Sequence, residues 1–107
     1  MITTPCENAS KYALPAIRAN IAKMLASKKY TQKKIANILG VTQPAVSKYL
    51  SDKYDSKLKF VVNDKKVKMY AEEIYNMIIQ GVPEEDVRFS ILSRTARLLK
   101  ENPNLFD

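Results

Sequence analysis

Gln43, Ser47 and Lys48 lie at a spacing that puts them on one side of a helix. A glutamine amide both donates and accepts, matching the two-atom edge that adenine shows in the DNA major groove. A lysine ammonium donates to the acceptors of guanine. Thr42 and Pro44 open the same stretch, where a hydroxyl and an apolar ring can meet a base edge or a thymine methyl. These five residues are the candidate base contacts. Tyr30, Gln32, Lys33, Lys34 and Lys53 flank them and are the candidate phosphate contacts, which position a protein without carrying sequence information. This is chemistry of recognition, not reaction. The chain has no His and no nucleophile motif, and its 2 Gly are too few for a phosphate-cradling loop. Glu84, Glu85 and Asp86 form a run at a predicted helix start, where negative charge favours the dipole. Glu72 and Glu73 read as a solvated helix face. No enzyme is expected.

The elements that must hold these residues follow from the flanking sequence. Thr31 is suited to cap a helix from about Gln32 to Leu39, with Ile35, Ile38 and Leu39 as its apolar face. Ala36 keeps the crossing point with the next helix small. Gly40 supplies the left-handed residue that ends the first helix. Val41 fills the corner and Thr42 caps the second helix. Pro44 falls in its first turn, where a missing N–H costs nothing. Ala45, Val46, Tyr49 and Leu50 then face inward. The sum is a helix-turn-helix, the unit that lays its second helix in the major groove. Two helices packed for structural reasons alone are the alternative.

Residues 31–51 resemble the phage-repressor family of lambda repressor and Cro. In that family a Gln opening the first helix holds a phosphate and supports a Gln opening the second, which reads adenine. The resemblance implies those roles for Gln32 and Gln43. It also implies base contact by Ser47 and guanine contact by Lys48. Pro44 and Tyr49 depart from the family pattern, where a small polar and a smaller apolar residue are common. A wider resemblance covers Thr4-Pro5-Cys6-Glu7, Leu14-Pro15-Ala16-Ile17-Arg18 and the motif, which together look like small archaeal transcriptional regulators. Those often carry C-terminal cysteines, which this chain lacks, so no metal- or cluster-sensing role is carried over.

Charge supports a polyanionic partner. Net charge is +7, and it is unevenly spread. Residues 1–68 hold 14 basic and 4 acidic side chains, a net of +10; residues 69–107 hold 4 and 7, a net of −3. A basic half suits double-stranded DNA, and the other half is free to meet something else. With no His and 1 Cys, a zinc site built by one chain is disfavoured, and no cofactor or metal is expected. Cys6 reads as a small apolar residue of the first helix; redox sensing or a disulfide between subunits is the minority reading. No run approaches the roughly 20 apolar residues of a membrane span, so the expected location is cytoplasmic.

The expected fold class is all-α: a helix-turn-helix domain over residues 1–54, a linker or short strand over 55–64, and a C-terminal helical region over 65–107. Thr4 to Glu7 form a capping box, and Pro15 kinks or restarts the first helix. Leu14, Ile17, Ile21, Met24 and Leu25 make its core stripe. Lys57 to Val62 alternate roughly polar and apolar, which predicts a short strand or extended arm. Asn63 or Asp64 caps a helix over 65–80. Val82-Pro83-Glu84-Glu85-Asp86 opens a last helix, which runs to about Glu101 and has two apolar faces. Val87, Ile91 and Leu98 make one; Phe89, Leu92, Ala96 and Leu99 make the other. An ordinary surface helix has a single stripe. A two-faced helix is either central to the core of a monomer or shared between two subunits, and the shared reading predicts a homodimer that reads two half-sites about 34 Å apart. The competing function is a protein-interaction module, antitoxin- or adaptor-like, with a structural helix-turn-helix. A small-molecule effector is left open, in a pocket lined by Tyr70, Ile74, Phe89 and Leu92. Residues 102–107 are expected to fray, unless Leu105 and Phe106 dock.

Overall fold

The structure, a computed structural model, describes residues 5–106. Thr4 of the expected capping box and the side chain of Cys6 lie outside the described residues, as does Asp107. The chain opens with α1 (Pro5–Asn8), runs through a π-helical segment (Ala9–Ala13) and continues into α2 (Leu14–Ser27). The wide turn closes with the Leu14 N–H donating to the Ala9 carbonyl, five residues back. Its position has a cause in sequence. Pro15 brings no N–H and its ring crowds the carbonyl one turn earlier, so the helix widens there instead of breaking.

Four further helices follow that carry most of the remaining chain. They are α3 (Gln32–Leu39), α4 (Gln43–Ser51), α5 (Ser56–Val62) and α6 (Lys65–Ile79). The last long helix is α7 (Glu84–Glu101), and a 3₁₀ turn (Pro103–Phe106) closes the described chain. No strand occurs among the described residues. The expected strand over 57–62 is therefore corrected: this segment is α5. Asp55 accepts a hydrogen bond from the Leu58 N–H at 2.8 Å and starts the helix. Leu58, Val61 and Val62 are buried at helical spacing, while Phe60 is 66% exposed. The three-and-four spacing toward the core outweighs the two-residue alternation. Asp64, not Asn63, caps α6, accepting from the Lys66 and Val67 N–H groups.

The core is one continuous cluster. Ile17, Ile21 and Leu25 of α2 are fully buried, and α2 packs on α3, α4, α5, α6 and α7. The buried Asn20 amide donates to the Ala16 carbonyl and, at 2.9 Å, to the Val62 carbonyl. That bond satisfies an end carbonyl of α5 from inside the core. The tail does not fray. Leu105 and Phe106 are buried, and their apolar area offsets the cost of ordering the last turn. The Cα radius of gyration is 13.0 Å, what a single compact domain of this length (about 13 Å) would have.

Candidate nucleic-acid interface

The corner between α3 and α4 is built as its residues dictate. The Thr31 hydroxyl accepts from the Lys34 N–H at 3.1 Å, and the Thr42 hydroxyl from the Ala45 N–H at 3.3 Å. Gly40 is left-handed at φ 71°, and the Val41 N–H reaches back to the Ala36 carbonyl at 3.0 Å. That long reverse bond is the usual closure of a glycine-ended helix. Val46 and Tyr49 are buried, and Ala45 and Leu50 half-buried, so α4 is anchored by one face.

The opposite face carries the expected reading set. Thr42, Gln43, Pro44, Ser47 and Lys48 are all exposed. The Thr42 oxygen is occupied as an acceptor, which leaves its proton to donate outward. Pro44 offers an apolar surface and no donor. Among the phosphate candidates, Gln32, Lys33, Lys34 and Lys53 are exposed. Tyr30 is half-buried against the core, beside Ile38 and Val82 at the turn between α6 and α7. Lys34 stands 3.9 Å from Glu84 of α7, so part of its charge is already answered.

Three groups that bear on this surface were not foreseen. Arg88 of α7 donates to the Asn37 carbonyl at 2.7 Å, satisfying one of the open carbonyls at the end of α3. Its side chain lies over Gly40, where a methyl group would meet Arg88 Cδ and Nε at 3.1 Å. No local pattern signals a contact 51 residues away. At the far end of α4, Asp52 is left-handed at φ 58° and pairs with Lys23. The Tyr54 hydroxyl donates to Asp52 Oδ1 at 2.7 Å, and Lys23 Nζ donates to the Tyr54 oxygen at 2.9 Å. The hydrogen bond from Lys23, then that from Tyr54, holds the Asp52 carboxyl below its ordinary range. Burial opposes the Lys23 charge, but hydrogen bonds to Asp52 and Tyr54 outweigh it and raise the ammonium pKa. Burial likewise pushes the Tyr54 phenol up. This triad fixes α2 to the end of α4.

Lys11 is the third. It borders, with Lys48, a groove of about 520 Å³ walled by Tyr12, Tyr49 and Tyr54. Lys57 lies over the Tyr12 ring at 4.8 Å. Lys11 thus extends the basic surface from α4 onto the π-helical segment. Tyr70, Ile74, Phe89 and Leu92, left open as a pocket lining, do not come together. Tyr70 and Ile74 are core residues, whereas Phe89 and Leu92 are 71% and 55% exposed. The two pairs sit on different faces. No group of three or more potential metal ligands occurs among the described residues.

Residues 16–52 match the family model described as "Bacterial regulatory protein, arsR family". The matched stretch begins in α2 and ends at Asp52, so it takes in the reading unit and the helix that supports it. It spans roughly a third of the chain. The likeness supports a helix-turn-helix DNA-binding transcriptional regulator and does not single out the lambda repressor and Cro type. No curated protein matches the chain, and no solved structure does. No described helix is long and apolar enough to cross a membrane.

Proposed function

We propose that this protein is a sequence-specific regulator that binds double-stranded DNA as a homodimer, with one α4 in the major groove of each half-site. The observation that carries the reading is the sidedness of α4. Every residue suited to base contact is exposed, while Ala45, Val46, Tyr49 and Leu50 are turned to the core or half-covered. In this reading Gln43 takes an adenine edge, Lys48 a guanine and Ser47 a neighbouring base. Thr42 and Pro44 meet the first base pair. Gln32, Lys33, Lys34 and Lys53 hold the backbone, joined by Lys11, and Tyr30 adds at most its hydroxyl. A dimer bound in this way acts as a repressor by covering the DNA it occupies. The uneven charge of the chain supports the same partner.

The test is titration of the protein against DNA from upstream of its own reading frame and against random DNA, at several salt concentrations. One palindromic site should be preferred, with half-sites about one helical turn apart. Gln43→Ala should cost about 1–3 kcal/mol at a single base pair of that site and little on random DNA. Equal, steeply salt-dependent binding to all sequences would instead mean attraction by charge alone.

A further inference from the structure

We infer that two copies of this chain pair through α7, antiparallel, about a two-fold axis beside Leu92. The inference deepens the dimer of the preceding reading and rests on it for its purpose, but not for its evidence. Phe89, Leu92, Ala96 and Leu99 recur at three- and four-residue steps, the spacing of a seam between two helices. None is buried: Phe89 is 71% and Leu92 55% exposed, Ala96 is exposed and Leu99 half-buried. The other stripe of α7, with Val87, Ile91, Thr95 and Leu98, already serves the core. Phe89, Leu92 and Ala96 stay uncovered within the described residues, while Leu99 packs partly against the core.

Size and charge both select a second copy, and select its direction. In an antiparallel pair centred between Leu92 and Ser93, Leu92 lies beside its own copy, and Phe89 meets Ala96. The bulkiest side chain of the stripe thus falls opposite the smallest, on both sides of the axis. A parallel pair would set Phe89 against Phe89 and leave a gap at Ala96. The helix is also polar along its length, with Glu84, Glu85 and Asp86 in the first turn and Arg94, Arg97 and Lys100 toward the end; the opposing charges, Arg88 and Glu101, are engaged within the chain, by Asn37 and Glu84 and by Tyr70 and Lys66. Antiparallel pairing brings Glu85 of each copy to Lys100 of the other. Parallel pairing would stack like charges. Neither Glu85 nor Lys100 makes an ion pair among the described residues; Glu84 is held by Arg88 and Lys34, and Arg94 by Glu73.

Sedimentation without DNA separates this inference from the DNA reading. The unaltered protein should sediment as a dimer, and Phe89→Arg and Leu92→Glu should each give a monomer with an unchanged helical spectrum. Glu85→Lys should weaken the dimer about two- to tenfold, and adding Lys100→Glu should restore it, as expected for exposed pairs. Direction is read by cross-linking in a Cys6→Ser background. Leu92→Cys should form a disulfide-linked dimer and Glu85→Cys should not. A monomer at every concentration, or a dimer that neither apolar substitution disturbs, overturns the inference. A Glu85→Cys cross-link overturns its direction. Loss of operator preference by Gln43→Ala in a protein that stays dimeric bears on α4 alone.

Discussion

Helices α4 and α7 each bury one stripe in the same core, yet they present opposite surfaces outward. The outer face of α4 is Gln43, Ser47 and Lys48, with donors and acceptors that water satisfies until a ligand does. The outer face of α7 is Phe89, Leu92 and Ala96, which water does not satisfy. A polar exposed face is the default of any surface helix and gains meaning only from its geometry, here the capped corner at Thr31, Gly40 and Thr42. An apolar exposed face departs from that default and is informative by itself. One helix is recognised by how it is held, the other by what it leaves uncovered.

The comparison assumes that both helices stand on one core, and the strongest test is to damage that core. Ile21→Ala, in the middle of α2, should cost about 2–5 kcal/mol and lower a single unfolding transition in which the spectra of both halves move together. Residual structure in residues 65–106 after the reading unit has melted would mean two domains in place of one core. Next comes the corner. Gly40→Ala should cost about 1–2 kcal/mol from the left-handed backbone, with more from the crowding of Arg88. Adding Arg88→Ala should recover the crowding part in a denaturant midpoint and leave the backbone part. Full recovery would show that the φ of Gly40 matters less than its missing side chain.

Smaller effects sharpen the line between the two surfaces. Lys33→Ala should lower the salt slope of DNA binding by about one unit, as for one phosphate contact. Lys34→Ala should lower it by less, because Glu84 of α7 already shares that charge, and Glu84→Gln should raise affinity on every sequence. Equal slopes for the two lysines would mean that Glu84 lets go when DNA arrives. The least effect is set by pH. The Asp52 carboxyl is lowered in the folded chain, so its stabilisation is complete above the ordinary carboxylate range and lost as pH falls through the lowered value. Glu101 behaves alike, held down first by its bond from Tyr70 and then aided by Lys66. Asp52→Asn should therefore flatten the fall in melting temperature below the ordinary carboxylate range and change little at neutrality. An unchanged acid limb would remove the triad from the account of how α4 is held.

What could be read in the chain beforehand follows the range of the forces involved. The corner was legible because caps, glycine closure and apolar spacing act within a few residues, and Thr31, Gly40 and Thr42 each do what their types favour. The exposed stripe of α7 was legible as a second apolar face. Helix α5 was misread because seven residues hold too little pattern to separate a period of two from one of three or four. What settles it is Asp55 at the start and the Asn20 amide at the end, the second coming from α2. A shared pocket for Tyr70 and Phe89 fails because helix phase puts one inside and one outside. Arg88 was invisible for the simplest reason: its partner is a backbone carbonyl, and carbonyls leave no mark in a sequence.

The bond from Arg88 to the Asn37 carbonyl also fixes an order of events during synthesis. The chain is made from its N-terminus, and 51 residues separate donor from acceptor. At about 5–20 residues per second, the corner of the reading unit is complete for some seconds before the guanidinium that closes it has been made. During that interval the end of α3 rests on water and on Gly40 alone.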